Sequence, residues 1–388
     1  MRKVAITGVG MTKFGPTELG LNELFVEAAA EAVETAGINV RDIQSLFVGN
    51  CLGDFAEGQA NIGGFLASEL GLPPGTPATR FEGACATASV AIRNAWLWVA
   101  SGYYDTVLVG GVEKILHLGT SIATRTFAMA SDSKYEEFSG LTFPGVFGML
   151  THMYAHKYGL PLPVLKERMA RVAVKNHRHG AKNPLAQFQK EISVDTVLNS
   201  FMVADPLQLF DCCPFSDGAA ALVLTTGENA KKLASKPVYI MGVGQGSAGA
   251  LSRQKDYTVM QSRLASVGQA YKMAGVGPAD IDVCELHDCF TIAEIVASEC
   301  LGFFEFGKGS EALETGETAL GGRIPINPSG GLKAKGHPIG ATGAAQVYEI
   351  VKQLRGECGD RQVDGAKIGL TDTLGGDAGT IVNLVLGV

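Results

Sequence analysis

The sequence predicts an α/β protein made of two similarly folded halves. Two observations carry this. Apolar strand-like runs alternate with helical patterns along the chain, as buried mixed or parallel sheets require. The second half also repeats the first. Lys3–Gly10 matches Pro237–Gly244. Ala36-Gly37 matches Ala274-Gly275, Asp42-Ile43 matches Asp280-Ile281, and Cys51 falls opposite Cys289, these three at a single offset. A duplication of this length implies two halves related by a pseudo-two-fold axis, not a solenoid. Fifty of the 388 residues are glycine, against a usual ~7%, which suits tight turns and close backbone approaches.

In chain order, residues 3–7 read as a first strand. Leu21, Leu24, Phe25, Ala28 and Ala32 fall at helical spacing, and Gly37 is the expected stop. Residues 45–49 form the next strand, 84–101 a nearly all-apolar helix, and 104–111 a short buried strand ending in glycines. Residues 119–200 have no counterpart in the repeat and read as an inserted, mostly helical loop or cap region. Asp217–Leu224 returns to the first sheet, and Lys231–Pro237 is the expected linker. The division is therefore 1–118 with 201–235 as the first half, 119–200 as the insertion, and 236–388 as the second half. The helix after Cys85 matches the helix after His337, and the strand ending Gly110-Gly111 matches the one ending Gly375-Gly376.

Composition excludes several function classes. The net charge is −7 with no Lys/Arg run, so nucleic acid is not an expected partner. The N-terminus lacks the apolar stretch of a secretory signal. The most apolar segment, Ala84–Ala100, is interrupted by Arg93 and Asn94 and is too short for a bilayer. A cytoplasmic protein with no membrane association is expected, its eight cysteines free thiols. No metal site is expected. Cys212-Cys213 lacks ligand spacing and reads as structural. His177 and His179, among Lys and Arg, read as a solvated face. His152 and His156 stand at i, i+4 without an intervening HExxH glutamate.

Four segments could carry chemistry. Glu82–Ser89 delivers Cys85 to a helix start, where the helix dipole would lower its pKa and favour a thiolate. Gly336–Gly343 places His337 at the repeat position of Cys85, so a pseudo-two-fold axis would bring the two together; thiol activation needs such a Cys–His pair. His287-Asp288-Cys289-Phe290 ends the apolar strand Ile281–Leu286, where α/β sites collect. It offers Cys289 as a second thiol for acid/base work and His287 as a hydrogen-bond donor. Thr373–Gly379 ends in Gly375-Gly376, whose backbone N–H groups suit an oxyanion hole.

Taken together, Ala84–Ser89, His287–Phe290, Asn327–Gly331 with Gly336–Gly343, and the late glycine pair resemble the thiolase superfamily along essentially the whole chain. The His-Asp-Cys-Phe element is similar to that of the sterol-carrier-protein type and the related archaeal acetoacetyl-CoA thiolases. The resemblance implies the thiolase fold, a layered αβαβα arrangement of the two halves. Many thiolases have Asn-Glu-Ala-Phe in place of residues 287–290, and a late cysteine where this chain has Thr373. Cys289 would replace that late cysteine.

The resemblance also implies a mechanism. His337 assists Cys85, which takes an acetyl group from acetyl-CoA. Cys289 deprotonates a second acetyl-CoA, and His287 and His337 stabilise the enolate. The backbone N–H groups of Cys85 and Gly376 hold the tetrahedral oxyanion. The product is acetoacetyl-CoA, and thiolysis is the reverse. No tightly bound cofactor is implied; coenzyme A and acetyl-CoA are substrates, with Ser247 a candidate pantetheine contact. A homodimer or homotetramer is implied. So is a complex with 3-hydroxy-3-methylglutaryl-CoA synthase through a small bridging acyl-CoA-binding protein, at the start of the mevalonate route. The competing readings are an acyltransferase with another carbon acceptor and a non-catalytic acyl-CoA-binding subunit.

Overall fold

The computed structural model describes residues 1–234 and 236–388. A fully buried strand β1 (Val4–Met11) leads into α1 (Leu21–Ala36). α1 buries Leu21, Leu24, Phe25, Ala28 and Ala32, and Gly37 ends it at φ 67°, a left-handed geometry that glycine adopts without a Cβ penalty. β2 (Leu46–Gly49), β3 (Ala78–Phe81), α2 (Thr87–Ser101) and β4 (Thr106–Glu113) complete the first unit. Within 119–200 the chain is helical, chiefly α3 (Phe143–Lys157) and α4 (Leu162–Gly180). A small hairpin, β5 (Met202–Ala204) and β6 (Leu207–Gln208), precedes β7 (Gly218–Thr226), which rejoins the first unit.

The second half repeats this plan. β8 (Val238–Ser247) is followed by α5 (Gln261–Ala274), ended by Gly275 at φ 71°. Then come β9 (Val283–Glu285), α6 (Thr291–Cys300), α7 (Thr342–Arg355), β10 (Ile368–Gly375) and β11 (Thr380–Gly387).

The strands run in the order β3-β2-β4-β7-β1-β8-β11-β10-β9. Outward from the centre, β1, β7, β4, β2 on one side mirror β8, β11, β10, β9 on the other. An isolated parallel bridge, Cys284–Ile326, falls where β3 would have its counterpart. The pseudo-two-fold axis lies between β1 and β8, which meet through Ala5–Tyr239 and Ile6–Val238. Helices α2 and α7 pack on each other and between the half-sheets, while α1 covers β1 and β7, and α5 covers β8 and β11. This is the αβαβα layering. The two half-sheets are not separate, however: those two pairs join them at their edges.

The interior helices meet because their contact is made of small residues. A Cβ on Gly343 would lie 2.0 Å from the Ser89 hydroxyl oxygen, so a larger residue there would force α2 and α7 apart. Both helices therefore start side by side, and whatever precedes each start is brought together.

Some expectations shift. The helix expected from residue 84 is an α-helix only from Thr87, after a single 3₁₀ turn Ala84–Ala86. The strand expected to end at the glycines runs on to Glu113. The expected linker is partly helical, since Lys231–Leu233 closes the helix Gly227–Leu233; Ser235 lies outside the described residues. The solvated face expected at His177 and His179 is corrected. Both are buried: Phe188 and Phe210 pack on the His177 ring, and His179 lies against the 320–327 segment, whose Leu320 N–H donates to its Nε2 (3.3 Å). Their Nδ1 atoms bond the carbonyls of Lys190 (3.1 Å) and Asn327 (2.9 Å). Among the described residues, no helix is long and apolar enough to cross a membrane.

Candidate active site

Cys85 sits on the 3₁₀ turn ahead of α2. The turn is strained: Ala84 has φ 49°, a conformation that costs a non-glycine residue about 1–2 kcal/mol. Local bonds hold it. The Thr87 hydroxyl accepts from Gly83 N–H (2.9 Å) and donates to the Ala84 carbonyl (2.6 Å), while Ala84 N–H donates to Glu82 Oε1 (2.5 Å). The end of β10 presses on the same turn. A Cβ at Gly375 would stand 2.1 Å from the Gly83 carbonyl oxygen, so only glycine permits this approach. As a result the backbone N–H groups of Gly376 and Cys85 both bond toward the Cys85 sulfur. Two N–H donors thus converge beside the reacting sulfur, where an oxyanion hole would need them.

His337 precedes α7 as Cys85 precedes α2. Its backbone N–H donates to Ser216 Oγ (2.8 Å), which donates to Gln187 Oε1 (2.6 Å). Its Nδ1 lies 2.7 Å from Thr342 Oγ1, and that hydroxyl donates to the Pro338 carbonyl (3.0 Å). With its proton committed there, the hydroxyl can only accept from the ring. His337 therefore carries its proton on Nδ1 and keeps a free lone pair on Nε2. The His287 ring stands edge-on to it, centroids 5.0 Å apart and planes at 83°. Both His287 ring nitrogens are buried with no hydrogen-bond partner among the described residues. The sulfur of Cys85 and one nitrogen of each histidine lie within 4.8 Å of one another. A metal ion could use that spacing, but it would occupy the same lone pairs that nucleophilic chemistry requires.

These groups line one cavity of about 310 Å³ together with Cys289 and Gly376. Cys289 is held beside Cys213, whose N–H donates to the Cys289 carbonyl (2.9 Å). Phe290 stacks on Phe147, centroids 4.5 Å apart. The rest of the wall is largely carbon, and the 119–200 segment supplies Phe127, Phe143 and Phe147.

The electrostatics differ from the sequence expectation for Cys85. A helix start was expected to lower its pKa. Instead burial pushes the thiol up to about 12, more than the Gly376 and Cys85 N–H groups pull it down, with Glu113 and Glu82 adding to the rise. Cys85 is half-buried and lines the cavity. Burial lowers His337 to about 3, with Lys335 adding to the effect. His287 is held well below its ordinary value, first by burial and then by His337. Burial also raises Cys289 well above the usual thiol range. The resting site is thus neutral thiols facing neutral imidazoles. The sign is direct: a raised thiol pKa leaves ever less thiolate as pH falls. Alkylation of resting Cys85 by iodoacetamide is therefore expected to climb with pH past 9 without levelling near 7. A rate-against-pH series with intact-mass readout checks this, and a plateau near neutrality would contradict it.

Sequence reasoning missed the groups that hold the site. Asp288, between His287 and Cys289, accepts from Leu332 N–H (2.7 Å) and Asn176 Nδ2 (2.7 Å). Asn327 Oδ1 accepts from Leu286 N–H (2.9 Å), so the Asn327–Gly331 element latches the strand end that carries His287. Cys212 and Cys213, read as structural, line the cavity. Thr373 is buried and bonded to Gln346 (2.6 Å) and Ser89 (2.7 Å), away from the cavity. Ser247 lines a different surface cavity with Arg253 and Lys255, which shares no residue with that of Cys85. His152 bonds Asp205 (2.7 Å).

Comparison with known proteins agrees with this arrangement. Residues 4–228 match the family model "Thiolase, N-terminal domain", and 244–388 match "Thiolase C-terminal domain-like". The chain is 44% identical to the acetyl-CoA acetyltransferase of Methanothermobacter thermautotrophicus over 98% of both chains. It is 38% identical to the benzoylsuccinyl-CoA thiolase subunit BbsB of Thauera aromatica, over 97% of this chain and 95% of that one. Among solved structures, the Ltp2-ChsH2(DUF35) aldolase superposes with a TM-score of 0.84 at 26% identity, over 99% of this chain and 97% of that one. Two family models that together span nearly the whole sequence, with full-length relatives, make this chain a member of the thiolase family of acyltransferases.

Proposed function

We propose that the protein is an acetyl-CoA C-acetyltransferase that condenses two acetyl-CoA to acetoacetyl-CoA and CoA, and runs the reverse thiolysis. The observation that carries this is the convergence of Cys85, His287 and His337 within 4.8 Å, in a cavity that also holds Cys289.

The neutral resting state gives a proton balance. His337 Nε2 takes the Cys85 proton as the sulfur attacks acetyl-CoA, and the Cys85 and Gly376 N–H groups receive the oxyanion. Such a donor is worth about 3–4 kcal/mol. The departing CoA thiolate takes the proton of Cys289. The resulting Cys289 thiolate, made strongly basic by burial, removes a methyl proton from the second acetyl-CoA. His287 and His337 stabilise the enolate oxygen. Its carbon attacks the acetyl-Cys85 carbonyl, and the released Cys85 sulfur recovers its proton from His337. Every residue ends in its starting state.

A place at the start of the mevalonate route extends this reading and rests on the resemblance of residues 287–290; a cytoplasmic setting goes with it. A second copy would add to the free edge of β3, which is half-exposed. A complex with 3-hydroxy-3-methylglutaryl-CoA synthase through a small bridging protein belongs to the same reading. The Ltp2-ChsH2(DUF35) aldolase, a chain of this fold with a DUF35 partner, supports a bridging protein of that kind.

The test supplies acetoacetyl-CoA and free CoA to the wild-type protein, following loss of the substrate and the mass of Cys85. Cleavage with an acetyl adduct on Cys85 is expected. No cleavage of acetoacetyl-CoA, with Cys85 still acetylated when acetyl-CoA is supplied instead, would favour transfer to a different carbon acceptor.

A further inference from the structure

A second cavity, of about 220 Å³, also borders Cys85. It shares Phe127 and Phe143 with the first, but none of His287, Cys289 and His337 lines it. The two spaces divide the chemistry. The carbanion must form beside Cys289, in the first cavity, and reach the acyl carbon from there. The oxyanion is fixed toward the Cys85 and Gly376 N–H groups. The remaining substituent on the acyl carbon then points into the space that Cys85 borders but that holds no histidine. Its wall is apolar at Leu52, Met129 and Ile339. The one methyl of an acetyl group is about the size of a water molecule, whose share of liquid volume is roughly 30 Å³. The cavity is several times that.

The rim limits the chemistry of the tail. The Glu82 carboxylate lines this cavity, accepting from Ala84 N–H (2.5 Å) and the Cys51 thiol (3.7 Å). Among the described residues, no lysine or arginine lines it. A tail ending in a carboxylate would meet a like charge with no cation to offset it.

We infer that Cys85 accepts uncharged acyl groups longer than acetyl, of butyryl to hexanoyl size, with the tail in this second cavity. This rests on the acyl-transfer reading above and names its substrate class.

The experiment measures kcat/KM for acyl-Cys85 formation from acetyl-, butyryl-, hexanoyl- and succinyl-CoA, by intact mass. It compares wild type with Ala130→Phe and Met129→Trp, two exposed lining positions where a larger side chain fills the space. Wild type is expected to take butyryl and hexanoyl at least as well as acetyl, and succinyl poorly. Both filled variants are expected to lose hexanoyl transfer about tenfold or more, as a few methylenes of pocket discrimination allow, while keeping acetyl transfer, which also shows that they fold. A wild type that takes acetyl but not the longer donors overturns the inference. So do filled variants that lower acetyl and hexanoyl equally. Absence of every adduct, acetyl included, overturns the acyl-transfer reading itself and this inference with it.

Discussion

Cys85→Ala is expected to lower acetoacetyl-CoA thiolysis by about 10⁴-fold or more, with no acyl adduct on the protein and little change in thermal stability. Removing a covalent nucleophile costs this much because the remaining groups have nothing to act on. A 10⁴-fold loss corresponds to about 5.5 kcal/mol of barrier. The fold should tolerate the change. Cys85 stands between Ala84 and Ala86, its sulfur faces a cavity, and the bonds that hold the turn run through Thr87 and Glu82. Thiolysis rates, intact mass and a melting curve together decide it. Residual turnover above about one per cent of wild type, by the same barrier arithmetic, would mean that another group carries the acyl chain.

Much of the fold was legible because the chain states it twice. Gly37 and Gly275 both end their helices in the left-handed conformation, and Asp42 and Asp280 both close a 3₁₀ turn ahead of the next strand. Such paired punctuation is local chemistry, and sequence shows local chemistry well. The duplication also placed His337 opposite Cys85, and the two helix starts do meet. What was not legible depends on burial from distant segments. His177 and His179 sit among charged residues, yet Phe188 and Phe210 cover the first and the 320–327 segment the second. The helix dipole at Cys85 was visible in the sequence, but the desolvation that outweighs it was not, since it comes from walls built by residues 119–200 and 287–290. Asp288 and Asn327 bond partners tens of residues away, so no spacing rule reveals them.

Cys289→Ala is expected to separate the two halves of the reaction. Cys85 should still be acetylated, because His337 and the N–H groups of Cys85 and Gly376 are untouched, and the CoA thiolate, a good leaving group, can depart without the Cys289 proton and take one from water. Transfer to the second acetyl-CoA should fall by about 10²–10⁴-fold, the usual contribution of a positioned acid or base. Acetyl-Cys85 should therefore accumulate and persist under excess acetyl-CoA, where the wild type turns it over. Thr373 cannot take over the proton, because its hydroxyl is bonded to Gln346 and Ser89 outside the cavity. Cys212 and Cys213 are half-buried thiols that also line the cavity, and Cys213 is the one bonded to Cys289, through its N–H to the Cys289 carbonyl. A Cys289→Ala,Cys213→Ala double variant separates the two contributions. If the single variant condenses at the wild-type rate and the double variant does not, the acid and base is Cys213. If both condense at the wild-type rate, neither thiol moves the proton, and the neutral-thiol cycle is wrong. A persistent acetyl adduct in the single variant, unchanged in the double, assigns the proton to Cys289 and explains why burial holds its thiol neutral: the same desolvation that keeps its proton on at rest makes the thiolate basic enough to reach a methyl carbon.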